Sequence, residues 1–246
     1  LEAVHRLTEL YAASGASDKR RYWLERTMAI HDEAGAAQSG RSAYLAAQAA
    51  SLLGDERFDA FRRERLTLPL ARTLPRKQAT MQRALDAYKR CSGYGVDQFI
   101  TLCTFRLGEV YRQLATDLLQ SQRPQDLDAL ALEQYDLLLE EQAYPFEEMA
   151  IELHESNALR ARQGLYDEWV ARSFAVLGEL LPARYARHEN TEHYALAGSA
   201  GRQHDTASGQ VWELNRQAIA LRHAGEFPAA EQAYLAALTA DADHPA

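Results

Sequence analysis

"GEFPAAEQAYLAALTADADHP", residues 225–245, follows directly on "VWELNRQAIALRHA", residues 211–224. In the earlier stretch Leu214, Ala218 and Leu221 recur at helical spacing. Gly225 interrupts the period, and Phe227 opens a second helical run. That run carries a small-large-small series, Ala230, Tyr234 and Ala237. Paired helices sit about 8–10 Å apart, and alanines at the crossing points permit the close end of that range. Tyr234 then fills the space between this pair and the next. The spacing predicts a helix-turn-helix unit built to stack.

These residues resemble a tetratricopeptide repeat, a two-helix unit with a period of about 34 residues. Gln217 stands where a Leu is common, and the exit turn "DADHP" places its proline late, at Pro245. Weaker copies occur upstream: Leu107, Gly108 and Tyr111 in "RLGEVY", then Ala131 and Tyr135 in the next segment. Ala84, Tyr88 and Cys91 give another second-helix pattern, and Leu7, Tyr11 and Gly15 another first-helix pattern. Near Gly164 and Tyr166, Trp169 takes a place where the family has Ala. A second resemblance covers roughly residues 80–187, which look like large tetratricopeptide proteins of the Gram-negative envelope. Those are grouped with Tol- or TonB-type motors, including the adventurous gliding-motility type.

The composition agrees with helices. Hydrophobic residues make up 47% of the 246 and charged residues 25%, enough for a globular core. Ala, Leu, Glu, Gln and Arg dominate, and runs of Val, Ile and Thr are nearly absent. With 27 basic and 35 acidic residues the net charge is −8, against the basic stripe of a nucleic-acid binder. No stretch of about 18 apolar residues is present to span a membrane. Cys91 and Cys103 lack zinc spacing. They read as two small buried apolar residues, or as a disulfide between neighbouring helices in an oxidising compartment.

Segment ends are expected at Gly15, Gly35, Gly54, Gly93, Pro124, Pro145, Gly164 and Pro182, which gives about nine antiparallel helices. Three of them fall between residues 41 and 92, where a first-second alternation fails. From Ala186 to Gln210 Gly, Ser, Thr, His and Asn replace the leucines, which reads as a linker or mobile loop.

Each candidate catalytic motif fails on spacing. His188 and His193 in "HENTEH" are five apart and point about 140° apart, whereas a zinc-binding helix needs i and i+4. In "ELHE", Glu152, His154 and Glu155 miss the Glu-x-x-His of di-iron sites, since position 151 is Ile. Glu148, Glu152 and Glu155 do form a stripe, read as a solvated face or an acidic docking surface for a basic partner. "AGSAG" has Ala197 where a nucleophile elbow needs Gly, two before Ser199. Trp23, Trp169 and Trp212 read as inter-helix packing ahead of a ligand platform.

The fold expected is all-α: a right-handed α-solenoid of antiparallel helix pairs with partly degenerate repeats. Residues 1–185 form the degenerate array, 186–210 the linker and 211–246 the C-terminal unit. The resemblance implies a concave wall lined by Trp212, Asn215, Ile219, Arg222 and His223, and by Leu102, Phe105, Glu109, Arg112 and Gln113. It further implies a non-enzymatic scaffold or adaptor, periplasmic, that holds a peptide or protein segment and needs no cofactor or metal. A cytoplasmic location is the alternative. A helical small-molecule binder or enzyme with a dispersed pocket, and a self-associating spacer, are the alternative functions. Ala233, Ala236 and Ala240 lack a covering helix, so further repeats or homo-association are expected at that end.

Overall fold

The computed structural model describes residues 1–186 and 206–240. Among these residues there are ten α-helices and no strand. Two compact units appear, Leu1–Arg187 and His188–Ala246.

The first unit holds α1 (Glu2–Ala13), α2 (Ser17–Glu33), α3 (Gly40–Arg63), α4 (Leu70–Gly93), α5 (Asp97–Leu119), α6 (Ala129–Leu159), α7 (Glu168–Leu180) and the single turn α8 (Pro182–Tyr185). Side-chain caps fix several starts. Ser39 and Ser42 form a capping box at α3, Asp128 accepts from the Ala131 amide at α6, and Asp167 accepts from the Trp169 and Val170 amides at α7. Gly164 closes the turn after α6 at φ 85°, a left-handed conformation that favours glycine.

Successive helices pack on one another, and α3 also packs on α5 and α5 on α7. Specific pairs mark these contacts. Tyr44 meets Phe99 edge-on at 5.2 Å, and Phe105 meets Trp169 at 5.5 Å. The continuous core runs from Leu24 and Met28 through Leu53, Phe61, Leu85 and Tyr88 to Val110, Leu114 and Ala143.

Two expected helix ends are absent. Gly54 lies inside α3, and Pro145 lies inside α6. Gly54 is there for space. A Cβ built on it would meet Tyr88 Cδ1 at 2.6 Å, so the glycine admits the Tyr88 ring against the helix backbone. Pro145 removes one amide from α6, and the carbonyl four residues back loses its bond. A continuous α3 leaves two helices, not three, between residues 41 and 92. Two other bounds shift: α5 stops at Leu119, ahead of Pro124, and α4 begins at Leu70, taking in Pro75.

A second device joins three helices. Lys77 of α4 is 1% exposed. Its Nζ donates to the Phe61 and Glu64 carbonyls at 3.1 and 2.6 Å, where α3 ends, and pairs with Asp117 Oδ2 of α5 at 2.6 Å. Orphan helix-end carbonyls and a carboxylate thus share one cation. Cys91 of α4 and Cys103 of α5, both fully buried, form a disulfide.

The second unit contains α9 (Thr206–His223) and α10 (Phe227–Ala240). Gly225 turns between them at φ 83°, and Ala218, Ala230 and Ala237 are buried as the pattern requires. Because α9 starts at Thr206, residues 206–210 are helical and not linker. His188, His193, Ala197, Ser199 and the "DADHP" turn lie outside the described residues.

Gly54→Ala is expected to destabilise by about 1–3 kcal/mol, the range for overpacking a close contact, despite the higher helix propensity of alanine. A thermal melt that rises for this variant contradicts the close-approach account. Lys77→Met is expected to cost near the lower end of about 3–5 kcal/mol, since it strands Asp117 and two carbonyls. Adding Asp117→Leu should recover part of that loss in denaturant titrations.

Candidate functional site

Two features concentrate chemistry in the first unit: a groove and a buried polar seam.

The groove lies between α2 and α4, with α3 as its floor. Its two stretches, of about 500 and 370 Å³, share Leu53 and Arg57. Ala50 and Leu53 lie buried at its base, and Met28, Ala29, Ala60 and Ala87 line it with further small or apolar surface. At one end α2 and α4 meet, through Asp32 and Arg90 at 2.5 Å and the His31 and Tyr94 rings at 5.3 Å. Away from that contact the rims carry Arg20 and Arg21 on α2, Arg57 and Arg63 on α3, and Arg83 on α4. Arg20 and Arg21 share Glu56 at 3.5 and 3.4 Å, and Arg57 reaches Glu25 at 4.0 Å. Among the described residues Arg63 and Arg83 form no ion pair. The groove therefore has a floor of small and apolar residues between rims on which six arginines, Arg90 included, face four carboxylates, Glu25, Glu56, Asp59 and Asp86.

The seam joins α5, α6 and α7. His154 of α6 is fully buried, and Gly108 of α5 makes its place: a Cβ there would meet His154 Nε2 at 2.6 Å. Nε2 lies 3.5 Å from Glu109 Oε1, and Nδ1 lies 3.4 Å from Ser173 Oγ. Asn157, also fully buried, donates to the Thr101 carbonyl at 3.1 Å and to Ser173 Oγ at 2.9 Å. Thr101 Oγ1 donates to Asp167, the cap of α7, at 2.5 Å. Burial pushes the Glu109 carboxyl up, but the nearby His154 ring and the charge of Arg112 outweigh it and hold the group below the usual carboxylate range.

The sequence-derived wall residues separate into two groups. On α5, Phe105 is 7% exposed between the His154 and Trp169 rings, and Leu102 packs on the core. Glu109 faces His154, Arg112 binds Glu179 of α7 at 2.5 Å, and Gln113 donates to Asp117. The ends of these five are held within the unit. On α9, Trp212, Ile219, Arg222 and His223 are exposed and Asn215 is half-buried. The Arg216 guanidinium lies over the Trp212 ring at 5.8 Å. In the acidic stripe Glu148 and Glu152 are exposed, whereas Glu155 is held by Arg184 at 2.5 Å and the Tyr185 hydroxyl at 3.0 Å. Ala131 and Tyr135 are only half-buried, and the residues of α6 that meet α5 come later: Phe146, His154 and Asn157. At the end of the second unit Ala233 is half-buried and Ala236 exposed.

Sequence reasoning missed the groove, because its rims come from three helices separated by tens of residues. It also missed a triplet. Leu53-Gly54-Asp55, Leu107-Gly108-Glu109 and Leu177-Gly178-Glu179 recur in α3, α5 and α7, each with a buried leucine. Asp55 binds the Tyr88 hydroxyl and Arg106, Glu109 faces His154, and Glu179 binds Arg112.

The class these features define is an all-helical protein, compatible with a helical repeat protein, with a cationic groove on its first unit. No protein-family model matches the chain, and neither does any curated protein or solved structure.

Glu109→Gln is expected to lower stability at neutral pH. Because the native carboxyl titrates below its unfolded value of about 4.3, its contribution is full above that value and is lost as pH falls through the native one. Melting temperatures of wild type and variant should therefore draw together as pH is lowered through the range in which the native carboxyl titrates. Curves that stay parallel contradict the seam's electrostatics.

Proposed function

We propose that this chain is a non-enzymatic scaffold or adaptor, and that the α2–α3–α4 groove holds a segment of a partner. The observation that carries the reading is the pairing of a floor of small and apolar residues with rims on which arginines outnumber carboxylates six to four. That combination suits a segment with apolar residues flanked by carboxylates, because guanidinium forks grip carboxylates and the floor takes the side chains between them. A groove of this size falls within the usual range of about 300–1,000 Å³ for binding clefts.

In the same reading the helix pairs form a right-handed solenoid. The second unit is a tetratricopeptide-like pair, its 35 residues from Thr206 to Ala240 close to the family period of about 34. Pairs in the first unit are longer, with α3 and α4 together running from Gly40 to Gly93, and share the Leu-Gly-acid triplet. The exposed face of α9, with Trp212, Ile219, Arg222 and His223, is a second contact surface. The α5 set shapes the array from within. A buried disulfide supports placement in an oxidising compartment such as the periplasm.

The groove is tested by fluorescence anisotropy with labelled amphipathic peptides of about sixteen residues, long enough to form a helix on binding. A Leu/Glu peptide should bind wild type, and Arg63→Glu with Arg83→Glu should weaken it at least about tenfold, or about 1.4 kcal/mol. A Leu/Lys peptide should not bind the groove. Equal binding of both peptides, or no effect of the double change in a folded protein, overturns the assignment.

A further inference from the structure

The N-terminal half of α6 is an unpartnered apolar face. Leu130, Leu137 and Tyr144 are 65%, 54% and 60% exposed. They lie seven residues apart, and each step of seven rotates only about 20° around a helix, so they form one row. Glu133, Glu140 and Glu147 run beside that row on one side, and Glu141 and Glu148 on the other. All but the half-buried Glu147 are exposed. The seam is therefore apolar in the middle and anionic at both edges.

The charge of the whole chain has the same origin. Eight of the 35 acidic residues fall within α6, which holds no Lys or Arg, so the rest of the chain balances at 27 of each sign. The groove described above carries an excess of the opposite charge, six arginines to four carboxylates around a floor of small and apolar residues, and among the described residues Arg63 and Arg83 form no ion pair.

We infer that α6 of one copy of this chain docks, through Leu130, Leu137 and Tyr144, in the α2–α3–α4 groove of a second copy. The occupant follows from charge complementarity: the acidic, apolar seam and its cationic counterpart are both present on one chain. This inference rests on the groove reading and names its occupant. Because the two patches differ, the contact is heterologous, and each copy in a chain of copies offers one free seam and one free groove.

The test is light scattering coupled to gel filtration on the whole chain, across protein concentration and salt. Wild type should show a mass that rises with concentration and falls as salt goes from about 0.05 to about 1 M, where screening contracts to about 3 Å. Two exposed double variants separate the patches: Glu140→Arg with Glu141→Arg, and Arg63→Glu with Arg83→Glu. Each alone should be monomeric, with helical content and melting close to wild type by circular dichroism. Mixed in equal amounts they should pair, because the first keeps an intact groove and the second an intact seam, and each variant should cap one end of a wild-type chain; a mixture that stays monomeric overturns the inference. Wild type that remains monomeric overturns the inference, whether the missing occupant is another protein or none. Association that survives either double variant overturns it too. If wild type is monomeric but still captures the Leu/Glu peptide, self-docking fails while the groove reading stands. If the peptide also fails, both fall.

Discussion

The helical packing depends on how closely a helix can bring a ring to the backbone of its neighbour. Gly54 receives Tyr88 and Gly108 receives His154, and a methyl group at either glycine would occupy space the ring already fills. A mid-helix glycine costs about 1 kcal/mol relative to alanine, so two such positions in long helices call for a compensating gain. The gain is a buried ring whose polar atom is met by the residue directly after the glycine. Asp55 accepts from the Tyr88 hydroxyl at 2.7 Å, and Glu109 faces His154 Nε2. Burial and the Asp55 carboxylate both push the Tyr88 phenol above its ordinary range, so it keeps the proton that makes this bond.

From those two contacts the remaining polar groups fall into order. Asp55 also meets Arg106 of α5, and Arg112 of α5 meets Glu179 of α7, so the acid of each triplet reaches a neighbouring helix. Lys77 closes the end of α3 and ties α4 to α5 toward one end of that helix pair, and the Cys91–Cys103 disulfide, fourteen residues further along α4, makes a covalent link toward the other. Buried polar groups of this kind add less to net stability than to register. Sliding α6 along α5 by one turn would separate His154 from Glu109 and Asn157 from the Thr101 carbonyl, leaving several buried groups unpaired.

How much of this was legible beforehand depended on whether a signal was local. Helix class and the α9–α10 pair with its turn at Gly225 are local, set by periodicity and one positive-φ residue, and they were read correctly. Gly54 was misread as a stop because glycine has two uses, chain reversal and close approach, and composition does not distinguish them. The cue was its context, Leu before and acid after, which Gly108 shares; Gly178 has the same flanks but meets nothing within 4 Å. Pro145 was misread for a related reason, since a 31-residue helix held on both sides of the proline tolerates one lost hydrogen bond. The groove could not be read, because Arg20, Arg57 and Arg83 become neighbours only once α2, α3 and α4 pack. The wall positions assigned on α5 follow a 34-residue template, and of these Phe105, Glu109 and Arg112 meet residues of α6 and α7.

Net charge was the least informative number and its distribution the most. A value of −8 suggests an evenly acidic, solvated surface, whereas all of the excess sits on α6. Concentrating eight carboxylates on one helix without a basic neighbour in sequence forfeits the i,i+4 ion pairs that ordinarily support an exposed helix. It also places like charges one turn apart, as between Glu148 and Glu152, and that is unfavourable in the isolated chain. Arg123 at Asp136 and Arg184 at Glu155 offset only part of it. An unrelieved cost of this kind, on the same stretch that exposes Leu130, Leu137 and Tyr144, is compensated most directly by a cationic surface arriving from outside the helix. The apolar row and the charge excess are therefore one feature, and each makes physical sense only in the presence of the other.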